Sequence, residues 1–355
     1  MNALVLIDDG KLEYRDIPFP EKPDEEASPE RKWTLVRVLT AGICGSDLDR
    51  AFNGKAYHYP LVMGHEFTAE IAEPARGGVL KEGTRAAVFP LIPCKVCTPC
   101  RTGNYAQCEN YDYLGSRTDG AFAEYVWVPE ENLFPIPEGL DPVAAAMTEP
   151  AAVALHGIRK LEIEPGMTGA VIGGGPIGNL AAQWLRAAGC MKVFLADIDP
   201  AKLKIARDMG FIAVDSGSGD PVQSIIDQTD GRGADCAVEA CGLPVTFLQT
   251  IQSASRYGTV LFMGNIRGEF KIPEKDFSGI LRRELRIYGT WNSSVLPAPS
   301  DDWSTAIRAM DRSLDCAPLI SHTPDLSDGV SVFNDIHGGN GFFNKVIFRV
   351  SGERK

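Results

Sequence analysis

Cys94, Cys97, Cys100 and Cys108 lie within residues 94–108, spaced C-x2-C-x2-C-x7-C. No other feature constrains the chain as much. Four thiolates in a tetrahedron suit zinc, and ligands this close in sequence let one short loop wrap one ion. Pro93, Pro99 and Gly103 supply the bends. The competing reading, two disulfide bridges, belongs to oxidising compartments. The start of the chain carries no mark of secretion: Met1 to Gly10 has no basic segment and soon meets Asp8 and Asp9. Four free thiols this crowded would be prone to oxidation. The lobe therefore predicts a closed, structural zinc site, since four thiolates leave no open coordination position.

A chain of 355 residues has enough length for two domains with their own cores. The formal net charge of −12 argues against non-specific nucleic-acid binding and against an anionic membrane surface. Any anionic ligand must be held by local donors against that field. No apolar run is long enough to span a bilayer, and the expected location is the cytoplasm. The charged segment Glu21 to Lys32 reads as a solvated loop.

The first half of the chain reads as short strands and turns. Leu35 to Leu39 alternates apolar and polar residues, and Gly120 to Val128 is a strand-like run ending at Pro129. From about Leu155 the pattern changes to strands alternating with amphipathic helices, the signature of a parallel α/β sheet. The expected strands are Gly169–Gly173, Lys192–Asp197, Cys236–Glu239, Thr259–Gly264 and Leu285–Gly289. Ile177, Leu180, Ala181, Trp184, Leu185 and Ala188 form one apolar helix face. From about Trp291 the rhythm breaks, and the chain is expected to return to the first domain. The division predicted is 1–154, 155–290 and 291–355.

Gly173-Gly-Gly175-Pro176-Ile177-Gly178 matches G-x-G-x-x-G between an apolar strand and the amphipathic helix. In that context Gly173 allows a tight turn, and Gly175 lets a pyrophosphate approach the helix N-terminus. Gly178 allows close helix–strand packing. Asp197 ends the second strand, where an acid binds the adenosine ribose hydroxyls. A carboxylate there repels a 2′-phosphate, so the expected cofactor is NAD.

Cys44 lies in Gly42-Ile-Cys44-Gly-Ser46-Asp47, followed by Gly64-His65-Glu66 and, far along, Glu149-Pro150. Singly, each has an ordinary reading: a buried thiol, a core imidazole, solvated or ion-paired acids. Together, Cys44, His65 and a carboxylate offer the few mixed ligands and the open position that catalytic zinc needs.

With these motifs in order, the chain resembles the zinc-containing medium-chain dehydrogenases of the polyol (sorbitol dehydrogenase) type. The resemblance rests on Cys44-Gly-Ser46-Asp47, Gly64-His65-Glu66, the 94–108 lobe, Asp119 to Tyr125, Glu149-Pro150 and Gly173 to Gly178. Tyr59 to Phe67, Tyr111 to Arg117, Leu281 to Leu285 and Gly289 to Trp291 are similar to a branch that handles phosphorylated sugar alcohols. The resemblance implies a GroES-like, mainly β catalytic domain plus a Rossmann doubly wound parallel-sheet domain. It implies two zinc ions per chain, with Cys44, His65 and Glu66 around the catalytic one and Glu149 near or on it, directly or through water. Ser46 would relay the substrate proton and Asp47 would buttress His65. A homodimer or homotetramer built through the dinucleotide domains is implied as well.

The implied substrate is a small polyol or polyol phosphate. Arg50, Lys55 and Arg117 lie in the phosphate-branch segments and form a candidate anion clamp. Trp291 is a candidate pocket residue, and His58 is expected to shape the cleft. Cys190, Cys236, Cys241 and Cys316 are expected to be buried thiols. The alternatives are a free-polyol dehydrogenase acting on sorbitol, L-iditol or a vicinal diol, and a non-catalytic relative that keeps the fold. Three positions depart from the family pattern. Ala121 replaces a glycine, where its methyl is expected to narrow the turn. Thr84 replaces an aspartate, and Asn344 precedes Lys345 where glycine is usual.

Overall fold

The computed structural model describes residues 1–24 and 31–351. Part of the charged loop expected over Glu21 to Lys32, residues 25–30, lies outside the described residues. The chain divides into two compact units: residues up to Glu149 together with those from Ser294 onward, and Pro150–Ser293. Among the described residues, no helix is long and apolar enough to cross a membrane.

The first unit is mainly β. Its central strand, Trp33–Gly42, is buried at all ten positions. It pairs antiparallel with Glu66–Glu73, Tyr125–Pro129 and Lys345–Arg349. The alternation over Leu35 to Leu39 therefore does not mark one wet face. Arg37 is buried because it stands opposite Glu70 on the neighbouring strand and pairs with it at 3.1 Å, which is how a charge survives in such a strand. The run expected from Gly120 becomes a strand only at Tyr125. Before that, Ala121 and Phe122 donate their N–H groups to Gly64 O and Met63 O at 2.9 Å each. Phe122 then packs edge-on against Phe348, with centroids 5.4 Å apart.

The second unit carries a six-stranded parallel sheet. Its spatial order is Ile212–Asp215, Lys192–Asp197, Thr168–Ile172, Ala234–Glu239, Ala254–Phe262 and Arg286–Gly289. Strand order reverses on either side of Thr168–Ile172, which creates the switch point where doubly wound sheets bind ligands. The sequence reading missed Ile212–Asp215, a four-residue edge strand too short to show a period. It also started Ala254–Phe262 too late. The helix Pro176–Ala188 buries Leu180, Ala181, Trp184 and Leu185. Ala188, expected on the same face, is exposed in the last turn, just before Gly189 ends the helix at φ +128°.

Gly178 sits where this helix meets the strand. A Cβ there would run into the carbonyl oxygen of Gly173. Gly178→Ala is therefore expected to destabilise the protein by about 1–3 kcal/mol through overpacking. Urea unfolding would show this as a lower midpoint; an unchanged midpoint would mean that the helix and turn can separate freely.

Candidate metal centres and nucleotide turn

The four lobe cysteines converge, with their Sγ atoms all within 4.8 Å of one another. Cys94 Sγ lies 4.0 Å from Cys100 Sγ, and Cys97 Sγ lies 3.8 Å from Cys108 Sγ. A tetrahedron with Zn–S bonds of about 2.3 Å has edges of about 3.8 Å, whereas a disulfide needs about 2.05 Å. The spacing fits a four-thiolate ion site and excludes disulfides, and all nine cysteines are unpaired. Backbone N–H groups of Cys97 and Val96 hold the Cys94 thiol down at about 6, while burial pushes Cys100 and Cys108 up.

The second cluster starts from a helix cap. Cys44 stands at the N-cap of the helix Gly45–Phe52, and its N–H donates to Asp47 Oδ2 at 2.9 Å. His65 and Glu66 follow Gly64, whose φ of +94° turns the chain into the strand Glu66–Glu73. Gly64 is also crowded: a Cβ would meet the Phe122 ring at 2.6 Å, and Cβ atoms on Gly115 or Gly120 would strike the Gly64 carbonyl. The glycine that matters in Asp119-Gly120-Ala121 is thus the first. Ala121 is fully buried, with its backbone outside the left-handed region, so the position does not require glycine's conformational freedom.

Ligand atoms of Cys44, His65 and Glu66 lie within 4.8 Å of one another. One thiolate, one imidazole and one carboxylate with an open position form a donor set suited to catalytic zinc. Asp47 is fully buried, and its Oδ1 faces His65 Nδ1 at 3.4 Å and Arg50 Nη1 at 3.1 Å. This leaves His65 Nε2 for a metal, the carboxylate–histidine–metal arrangement. Burial opposes the charge on Asp47, but His65, Arg50 and the Cys44 N–H hold its carboxyl below the usual range. Burial also opposes a charged His65, yet Asp47 and Cys44 raise it well above the ordinary histidine value. The pocket favours positive charge at this imidazole, whether a proton or a metal cation carries it.

Glu66 Oε2 forms an ion pair with Lys345 Nζ, which also donates to Ile43 O at 3.0 Å. Both residues are at least 97% buried. Glu66 still offers a carboxylate oxygen to the cluster with Cys44 and His65. Gly42 lies directly beneath this pair, and a Cβ there would come within 2.6 Å of Glu66 Oε2. Glu149, in the first turn of the helix Thr148–Ile158, accepts a hydrogen bond from Tyr113 Oη at 3.3 Å. Burial and then the nearby Glu66 charge push its carboxyl up to about 7.

In the second unit Gly173 has φ +112°, and Gly175 is the N-cap of the helix Pro176–Ala188. Free N–H groups and the dipole of such a helix suit a pyrophosphate. Ile177 follows in the first turn, half-buried. Asp197 closes the turn: Oδ2 accepts from Gly174 N at 2.6 Å and Oδ1 from Asp199 N at 2.9 Å. Two residues the sequence reading passed over complete it. Buried Asn179 donates to Gly174 O at 2.6 Å. Buried Glu239 accepts from the N–H groups of Cys241 and Gly242 at 2.8 and 2.7 Å, fixing the loop packed against Gly173.

Two family models match the chain. Residues 30–138 match the alcohol dehydrogenase GroES-like domain, and residues 176–312 match the zinc-binding dehydrogenase domain. The chain is 32% identical over 342 residues to galactitol 1-phosphate 5-dehydrogenase of Escherichia coli, covering 95% of this chain and 96% of that one. The chain belongs to the zinc-binding polyol dehydrogenases. Sorbitol dehydrogenase of Bacillus subtilis is 31% identical over 296 residues, covering 81% of each chain. The crystal structure of galactitol-1-phosphate dehydrogenase from E. coli superposes with a TM-score of 0.90 at 32% identity, covering 99% of this chain and 100% of that one. A zinc-binding dehydrogenase from Sinorhizobium meliloti bound to NADP superposes with a TM-score of 0.87 at 30% identity, covering 98% and 99%.

The three cations picked out in this dehydrogenase as a clamp have different surroundings. Arg50 is spent inside the metal pocket, donating to Ser46 Oγ at 3.0 Å as well as to Asp47. The Asp47–Arg50 spacing, i and i+3 on a helix, was the available signal for this. Lys55 pairs with Asp49 at 2.9 Å. Arg117 lies between the rings of Tyr57 and Tyr111. The His58 ring nitrogens lie 3.0 and 3.2 Å from the carbonyl oxygens of Pro60 and Arg117. Trp291 is 57% exposed, and Cys241, expected to be buried, is exposed beyond the strand Ala234–Glu239. Lys345 was the main omission. A lone lysine opening the apolar strand Lys345–Arg349 demands a buried partner, but nothing in sequence names Glu66.

Removing one partner of a buried ion pair costs about 3–5 kcal/mol. Lys345→Met is expected to lose stability on that scale when unfolded by urea in the presence of a chelator. A loss under about 1 kcal/mol would place the pair in contact with water.

Proposed function

We propose that this dehydrogenase carries out the NAD-linked oxidation of a sugar-alcohol phosphate, galactitol 1-phosphate to tagatose 6-phosphate, and the reverse reaction. The observation that carries the reading is the convergence of half-buried Cys44 with buried His65 and Glu66, in a chain similar over 95% of its length to an enzyme of that activity. Two zinc ions per chain are proposed, one in each cluster. Zinc at the mixed site supplies Lewis acidity to a substrate hydroxyl, and NAD supplies the hydride acceptor. Ser46 Oγ takes the hydroxyl proton and passes it outward. Arg50 Nη1 donates to that oxygen and so fixes where its own proton points. Asp47 orients His65, Lys345 balances Glu66, and Tyr113 orients Glu149. Gly173, Gly175 and Gly178 cradle the pyrophosphate, and Asp197 meets the ribose. The preference for NAD rests on that carboxylate, which disfavours a 2′-phosphate.

A free-polyol activity is the second reading. Arg50 and Lys55 are already matched with aspartates, and a sorbitol dehydrogenase is among the similar chains. Unpaired cysteines throughout suit a reducing, cytoplasmic setting. A homodimer or homotetramer is proposed through the edge strand Arg286–Gly289 and the helix Glu274–Arg283, which buries none of its residues and exposes Phe277 and Leu281.

NADH formation, followed by absorbance, tests the substrate reading. Galactitol 1-phosphate with NAD is expected to turn over at least ten times better, in kcat/KM, than sorbitol or than the NADP reaction, a difference of about 1.4 kcal/mol. Chelation is expected to abolish it. Better turnover of sorbitol would select the second reading.

A further inference from the structure

We infer that Arg117, held between Tyr57 and Tyr111, is the residue that receives the phosphoryl end of the substrate. The inference rests on the polyol-phosphate reading and selects one cation among three. Arg50 has Asp47 and Lys55 has Asp49. Among the described residues no carboxylate pairs with Arg117, and its Nε has no hydrogen-bond partner. In a chain of net charge −12 an anion must be held by local donors against the overall field, and Arg117 is a cation without a carboxylate partner.

The geometry is a bracket. The guanidinium carbon lies 4.8 Å from the Tyr57 ring centroid and 4.3 Å from that of Tyr111. Aromatic faces stabilise the flat cation through its faces. The Tyr57 and Tyr111 side chains also hydrogen-bond to the guanidinium, while its Nε is left without a partner; arginine binds phosphate through in-plane N–H groups of this kind. His58 sits between the two loops: its ring nitrogens lie 3.0 Å from Pro60 O and 3.2 Å from Arg117 O, and its one N–H as a neutral imidazole can donate to either.

The bracket is also continuous with the metal pocket. The Tyr111 ring meets the Tyr113 ring edge-on at 6.3 Å, and Tyr113 meets His65 at 5.7 Å. Tyr113 donates to Glu149. A row of rings therefore runs from the candidate catalytic site to Arg117, and it ends at Tyr57, which is 62% exposed. A polyol laid along this wall puts one hydroxyl at the metal and its far, charged end at the solvent rim.

The test compares kcat/KM for galactitol 1-phosphate and for galactitol in the zinc-loaded enzyme and in Arg117→Gln and Arg117→Lys. The preference for the phosphate ester is expected to fall about 10- to 100-fold in Arg117→Gln, the scale of a charge-assisted hydrogen-bonding pair. The loss is expected in KM rather than kcat, with partial recovery in Arg117→Lys. Inorganic phosphate should inhibit the wild type competitively and Arg117→Gln about tenfold more weakly. A folded Arg117→Gln enzyme that keeps the wild-type preference would overturn the assignment while leaving the substrate reading intact. Should that variant not fold, Tyr57→Ala removes the exposed side of the bracket, and an unchanged preference there counts equally against it. A wild type without preference for the phosphate ester would remove the substrate reading and this assignment with it.

Discussion

The ion pair between Glu66 and Lys345 is the contact on which the metal pocket depends. Two charges buried this deeply persist only because each has the other. The pair joins residues 279 apart in sequence. It lies over Gly42, the one residue type that leaves room for it, and it is tied to Ile43 O just before Cys44. Three remote pieces of chain are thereby fixed within one small volume. The strand pairing that delivers them, Gly42 opposite Glu66 on one side and Ile347 on the other, is the backbone form of the same constraint.

Around that pair the pocket balances charge closely. Asp47 accepts from Arg50 and the Cys44 amide and at the same time faces His65 Nδ1 at 3.4 Å. Glu149 is held protonatable near neutrality because burial and Glu66 both disfavour its charge. A divalent cation among Cys44, His65 and Glu66 would supply the positive charge that this set of anionic donors calls for. The lobe cysteines solve a simpler problem: four sulfurs within 4.8 Å of one another, with backbone N–H groups of Cys94 and Cys97 aimed at sulfur.

Much of this was legible in the chain because it was local. The 94–108 spacing, the G-x-G-x-x-G turn with its acid at Asp197, and the Gly64-His65-Glu66 step all encode geometry within a few residues. What was not legible is long-range or shared. Lys345 carries no mark naming Glu66. Glu149 and Tyr113 meet across 36 residues. Arg50 looked like a ligand for substrate because its charge is visible in sequence and its partner's burial is not. The strand Ile212–Asp215 went unseen because four residues at a sheet edge carry too little pattern. The alternation at Leu35 to Leu39 misled because Arg37 is paired inside the sheet.

The most direct check of the central claim is anomalous diffraction at the zinc edge from crystals of the zinc-loaded protein. Two peaks per chain are expected. One should sit among the sulfurs of Cys94, Cys97, Cys100 and Cys108. The other should lie within bonding distance of Cys44 Sγ, His65 Nε2 and a glutamate oxygen. A single peak in the cysteine lobe, with Glu66 still paired to Lys345 and no metal beside Cys44, would contradict it.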